Sequence, residues 1–101
     1  MDDKTLSKLP FEYREEIKKA VSLLKEEGCE EVYIFGSLAE EKDKKPSDID
    51  IAVKGCPKGK FFSILGKLMF ELDYPIDLID LDKDTEFARH LEKEGTLLNV
   101  S

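Results

Sequence analysis

Asp48 and Asp50 stand one residue apart in the run SDIDIAV, and that spacing constrains the chain more than any other feature. Side chains alternate along a strand, so both carboxylates point to one side while Ile49, Ile51 and Val53 point to the other. Their Cβ atoms are then about 7 Å apart. At an effective dielectric near 20, two negative charges at that distance repel by roughly 2 kcal/mol. A strand with one wholly apolar side belongs to a core, and a core strand tolerates such a pair when a cation relieves the repulsion. Taken alone, the pair fits the solvent side of an edge strand equally well. Its surroundings decide between the two.

Upstream, the apolar run Val32 to Phe35 ends in Gly36-Ser37, and ten residues separate that pair from Asp48. Glycine lets backbone approach a phosphate closely, and N–H groups at a helix start point at an anion. Ser37 is placed to cap a short helix over Leu38 to Glu41, and the charged segment Lys42 to Ser47 follows as a loop broken by Pro46. Downstream, Pro75 opens a third strand, Ile76 to Leu81. Ile76 and Leu78 face one way there, and Asp77, Ile79 and Leu81 the other. If the two acid-bearing strands are neighbours, Asp77 joins Asp48 and Asp50. Three carboxylates suit two Mg2+ ions, which prefer oxygen ligands and share coordination with substrate phosphates. Metals facing a phosphate-binding turn specify phosphoryl or nucleotidyl transfer, with Asp48, Asp50 and Asp77 as catalytic and metal-binding groups and Gly36 and Ser37 on the nucleotide.

The rest reads as scaffold. Tyr13, Ile17, Ala20, Val21 and Leu24 recur at helical steps after Pro10 and before Gly28. Phe61, Leu65, Leu68 and Leu72, with Phe62 and Met69 beside them, form the core stripe of a second long helix. Gly66 lies inside that helix and suggests close packing. Asp84 is the expected N-cap of a last helix, with Phe87, Ala88 and Leu91 inward and Gly95 as its stop. Thr96 to Val100 can add an edge strand. The lone His90 has no second histidine to share a metal with and takes no role.

The 101 residues bound a single domain over 1–101, with 1–8 expected to be flexible. A formal charge of −7 argues against direct nucleic-acid binding. Cys29 and Cys56, in no CxxC pair, read as free thiols of a reducing compartment. With no signal-like N-terminus and no apolar run of membrane-spanning length, a cytoplasmic location and no membrane association are expected.

The combination of Gly36-Ser37, ten residues, Asp48-x-Asp50 and the later strand acid Asp77 resembles the nucleotidyltransferase superfamily that contains DNA polymerase beta. More closely, it is similar to the minimal nucleotidyltransferases, small single-domain proteins often encoded beside a HEPN-domain protein. The resemblance runs from the first helix through FGS, DIDIAV and PIDLIDL to the final helix. It implies an α+β fold, a mixed sheet of three to four strands flanked by helices. Gly36 and Ser37 match the family's nucleotide-binding turn, Asp48 and Asp50 its two metal ligands, and Asp77 its third carboxylate, which assists the incoming hydroxyl. It further implies ATP as substrate and two Mg2+ ions. The partner would be a HEPN toxin in a hetero-oligomer, with AMP transferred to a tyrosine hydroxyl so that this chain acts as antitoxin.

Two departures stand out. Leu38 and Glu41 occupy positions where arginine and glycine are common in the family, and Glu40 and Glu41 add negative charge near a triphosphate. They keep a second reading open, in which the same fold neutralises its partner by binding alone. Transfer to a small molecule normally needs an additional acceptor domain and ranks third.

Overall fold

The computed structural model describes residues 9–36, 48–83, 85–95 and 97–101. Ser37, the expected helix from Leu38, the 42–47 loop, the expected flexible segment 1–8 and the expected cap Asp84 lie outside the described residues.

Three helices and four strands follow one another as α1 (Phe11–Glu26), β1 (Glu31–Ile34), β2 (Ile49–Lys54), α2 (Phe61–Glu71), β3 (Ile76–Asp80), α3 (Glu86–Glu94) and β4 (Leu98–Asn99). The sheet order is β3-β2-β1-β4. β1 runs antiparallel to β2 and to β4, while β2 and β3 are parallel, so the sheet is mixed as expected.

The strand alternation separates two cores. Val32, Ile34, Ile49, Ile51, Val53 and Leu78 turn to one side, where Tyr13, Ile17, Ala20, Val21 and Leu24 of α1 and Ile64 and Leu68 of α2 cover them. Burying each large aliphatic side chain contributes roughly 1.5–3 kcal/mol, so this layer carries most of the stability. Ala52 faces the other side and packs with Phe35, Leu81 and the α3 residues Ala88 and Leu91. Buried Glu16 on α1 accepts a hydrogen bond from the Asp73 N–H at 3.0 Å, fastening the turn that launches β3. The C-terminus is tied down too, because the Ser101 hydroxyl accepts from the Val32 N–H at 3.0 Å.

Four expectations need correction. In α2, Phe62 and Met69 are 78% and 63% exposed, while Ile64 joins the expected Leu68 and Leu72 in the core and Phe61 and Leu65 pack against it. The helix is apolar nearly all round, so its period does not single out one face. Gly66 serves no close packing: a Cβ there would meet nothing within 4 Å. The cap of α3 is Thr85, whose hydroxyl accepts from the Ala88 N–H at 3.1 Å. Finally, Cys29 and Cys56 form a disulfide. They lie just beyond the paired residues Glu31 and Lys54, so extending the antiparallel register brings them opposite each other.

Candidate functional site

The acid-bearing strands β2 and β3 are neighbours, and their parallel register sets Asp50 directly beside Asp77. Adjacent strands are about 4.8 Å apart, which makes this a close pair of like charges. Asp48 immediately precedes β2, two residues before Asp50 and therefore on the same side of the strand. All three carboxylates thus turn away from the layer beneath α1 and α2. Asp48 and Asp77 are exposed, while Asp50 is half-buried.

Partial burial is the largest influence on Asp50, followed by the charges of Asp77 and then Asp48, and together they push its pKa up to about 6. The repulsion anticipated from the Asp-x-Asp spacing is present but is the smallest of the three influences. Among the described residues no three His, Cys, Asp or Glu side chains are grouped as a metal ion would require. The chemistry of the donors nevertheless suits a hard cation: every candidate ligand is a carboxylate oxygen, and Asp50 carries a charge that a cation would relieve.

Gly36 faces Asp50 across the β1–β2 ladder. The Phe35 N–H donates to the Asp50 carbonyl at 3.0 Å, which places Phe35 opposite Asp50 and brings Gly36 to the end of the pairing. Gly36 has φ +70°, and a Cβ there would lie 3.2 Å from Asp50 Cγ and closer still to its Oδ2. Only glycine leaves the carboxylate where it is. Gly36→Ala is expected to lose about 1–2 kcal/mol from the left-handed backbone alone, measured by urea unfolding. By displacing Asp50 it should also lower transfer activity about a hundredfold.

The structure therefore sets Asp50 beside Asp77 and against Gly36, with Asp48 on the same side of the strand. Asp80, the other acid of β3, falls on the opposite side of the strand, and its Oδ1 accepts from the Asp82 N–H at 2.9 Å. Sequence reasoning missed the aromatic border of the site. Phe87 was expected to face inward but is 49% exposed, with its ring 6.2 Å from that of Phe35. The helical step carried a signal, because Ala88 and Leu91 already define the buried stripe and Phe87 falls about 100° from Ala88, at the margin.

A glycine turn against carboxylates on adjacent strands of a mixed sheet is the arrangement of a nucleotidyltransferase. Residues 15–100 match the family described as Polymerase beta, Nucleotidyltransferase, and the chain belongs to it. Among solved structures, it is similar to a chain of a toxin–antitoxin complex with AMP-PNP, at 28% identity over 80% of this chain and 70% of that one, with a TM-score of 0.61. A second similar chain belongs to the MntA–HepT toxin–antitoxin complex (25% identity, 84% and 70% of the two chains, TM-score 0.59). A third belongs to a complex of tri-AMPylated Shewanella oneidensis HEPN toxin with MNT antitoxin (25% identity, 84% and 70%, TM-score 0.60). No curated protein sequence matches the chain. No helix among the described residues is long and apolar enough to cross a membrane.

Proposed function

We propose that this domain is the antitoxin of a HEPN-type pair, transferring AMP from ATP to a hydroxyl, with tyrosine as the acceptor, on its partner protein in the cytoplasm. The observation that carries the reading is the in-register pair Asp50 and Asp77 on the face that Gly36 borders. The similar solved structures support it, since one holds AMP-PNP and another an AMPylated HEPN toxin bound to an MNT antitoxin.

Asp48, Asp50 and Asp77 would hold Mg2+, which when bound supplies charge neutralisation for the triphosphate and the departing pyrophosphate. Gly36, with no side chain, leaves its backbone open to the phosphates, and Ser37 follows it in the same role. The acceptor oxygen attacks the α-phosphorus, forming the new P–O bond as the bond to the bridging oxygen of the β-phosphate breaks. Pyrophosphate leaves with that electron pair. The hydroxyl proton passes to Asp77, the exposed carboxylate beside Asp50.

Leu38 and Glu41, standing where arginine and glycine are common in the family, favour one second reading, an antitoxin that neutralises its partner by binding alone. The test is incubation of the purified pair with Mg2+ and ATP labelled at the α-phosphate. Label is expected on the partner with wild type and at background with Asp48→Ala/Asp50→Ala. A partner that stays unlabelled yet tightly bound to wild type would establish the binding-only antitoxin.

A further inference from the structure

We propose that Phe87 is the surface on which the base of the bound nucleotide stacks; this rests on the nucleotidyl-transfer reading above. On the carboxylate side of the sheet, α3 covers only part of the strands. Ala88 and Leu91 bury against Ala52, Phe35 and Leu81, while Asp48 and Asp77 stay exposed. Phe87, next to Ala88 on the same helix, is 49% exposed and meets the Phe35 ring.

Its position, rather than its exposure, makes it informative, since single exposed apolar residues are common. The ring meets Phe35 edge-on, with centroids 6.2 Å apart and planes at 65°. Phe35 is buried, immediately precedes Gly36, and pairs through its backbone with Asp50. Cross-strand neighbours place their Cβ atoms about 5 Å apart. One such step and one ring contact therefore link Asp50 to Phe87, the direction in which a nucleotide with its phosphates at Gly36 and the carboxylates would extend its base. Phe35 braces Phe87 from one side and leaves half of its surface to solvent. Aromatic faces stack on bases whatever the base's hydrogen-bonding edge, and the larger π-surface of a purine favours it over a pyrimidine. Phe87 is absent from the buried cluster of Phe35, Ala52, Leu81, Ala88 and Leu91, so truncating it leaves that core in place.

The test compares binding of a non-hydrolysable ATP analogue and of inorganic tripolyphosphate, both with Mg2+, to wild type and F87A by calorimetry. F87A is expected to bind the analogue about tenfold more weakly and tripolyphosphate unchanged. The chain has no tryptophan, so F87W provides a single reporter whose emission the analogue should quench and tripolyphosphate should not. Equal analogue binding by wild type and F87A overturns the proposal, as does an equal loss for both compounds. If F87A does not fold, unchanged F87W emission at a saturating analogue concentration overturns it instead. Wild type that binds neither compound fails the nucleotidyl-transfer reading itself, and the stacking role with it.

Discussion

Asp50→Asn is expected to make the metal-free protein more stable while abolishing nucleotidyl transfer. At neutral pH the native state holds Asp50 ionised although burial and two like charges oppose it, with a pKa near 6 against an ordinary 3.8. The sign follows from proton linkage: the native state binds a proton more tightly than the unfolded chain does. Stability from this group is fully present below about pH 3.8 and is lost as pH rises through about 6. The full shift corresponds to about 3 kcal/mol, but Asp50 is only partly buried and solvent screens its neighbours, so roughly 1 kcal/mol is the realistic gain. In a domain of this size that is about 4–8 °C in Tm. Differential scanning calorimetry at pH 7.5 without divalent ions should show it, and the gap between wild type and variant should close as pH falls toward 4. Excess Mg2+ should then stabilise wild type more than the variant. Transfer should drop roughly a thousandfold or more, since metal-assisted charge stabilisation is worth several kcal/mol and 1.4 kcal/mol is tenfold. A variant less stable than wild type at pH 7.5 would show that Asp50 bears no such strain.

Only the smallest part of that strain, the charge of Asp48, was legible from strand parity; burial and Asp77 contribute more. Asp48 and Asp50 on one side of Ile49 and Ile51 require nothing beyond the alternation of a strand, and the α1 stripe likewise depends only on a local period. Pairing between strands is a different matter. That β3 lies beside β2 with Asp77 against Asp50 is a long-range fact, and only the Gly-Ser and Asp-x-Asp resemblance anticipated it. Where one pattern serves two environments, sequence reasoning failed. Helix α2 places large apolar residues on almost every side, so the period adds Phe62 and Met69 to a stripe whose core contacts come from Ile64, Leu68 and Leu72, with Phe61 and Leu65 beside them. Asp84 and Thr85 are both good caps, and the structure uses the hydroxyl of Thr85. The cysteines show what register adds. Glu31 with Lys54 and Ile34 with Ile51 each sum to the same residue total, and so do Cys29 and Cys56. Once the β1–β2 pairing is known, the disulfide can be read from the numbers; a reading based on cysteine spacing and compartment lacks that register.

Reduction of this disulfide is expected to produce the largest stability change in the chain. The bond closes a loop with a sequence separation of 27 that contains β1, the Gly36 turn and all of β2. By loop-closure entropy, a loop of that length stabilises the fold by about 3–4 kcal/mol, because the cross-link restricts the unfolded chain. A domain of about 100 residues should then lose roughly 15–25 °C in Tm on adding reductant. Cys29→Ser/Cys56→Ser should melt at the reduced temperature and ignore reductant, which separates the loss of the cross-link from other effects of the reagent. The site itself should respond little. The disulfide fastens the end of the β1–β2 ladder beyond Glu31 and Lys54, whereas Phe35 and Asp50 pair at the opposite end. Between them the ladder is held by four paired positions and by Val32, Ile34, Ile51 and Val53 in the buried core. Well below its lowered Tm, the reduced protein should therefore bind nucleotide as the oxidised protein does. A Tm that does not change with reductant would mean that the cysteines are not linked in solution. A parallel loss of nucleotide affinity at low temperature would mean that the ladder transmits the break from one end to the other.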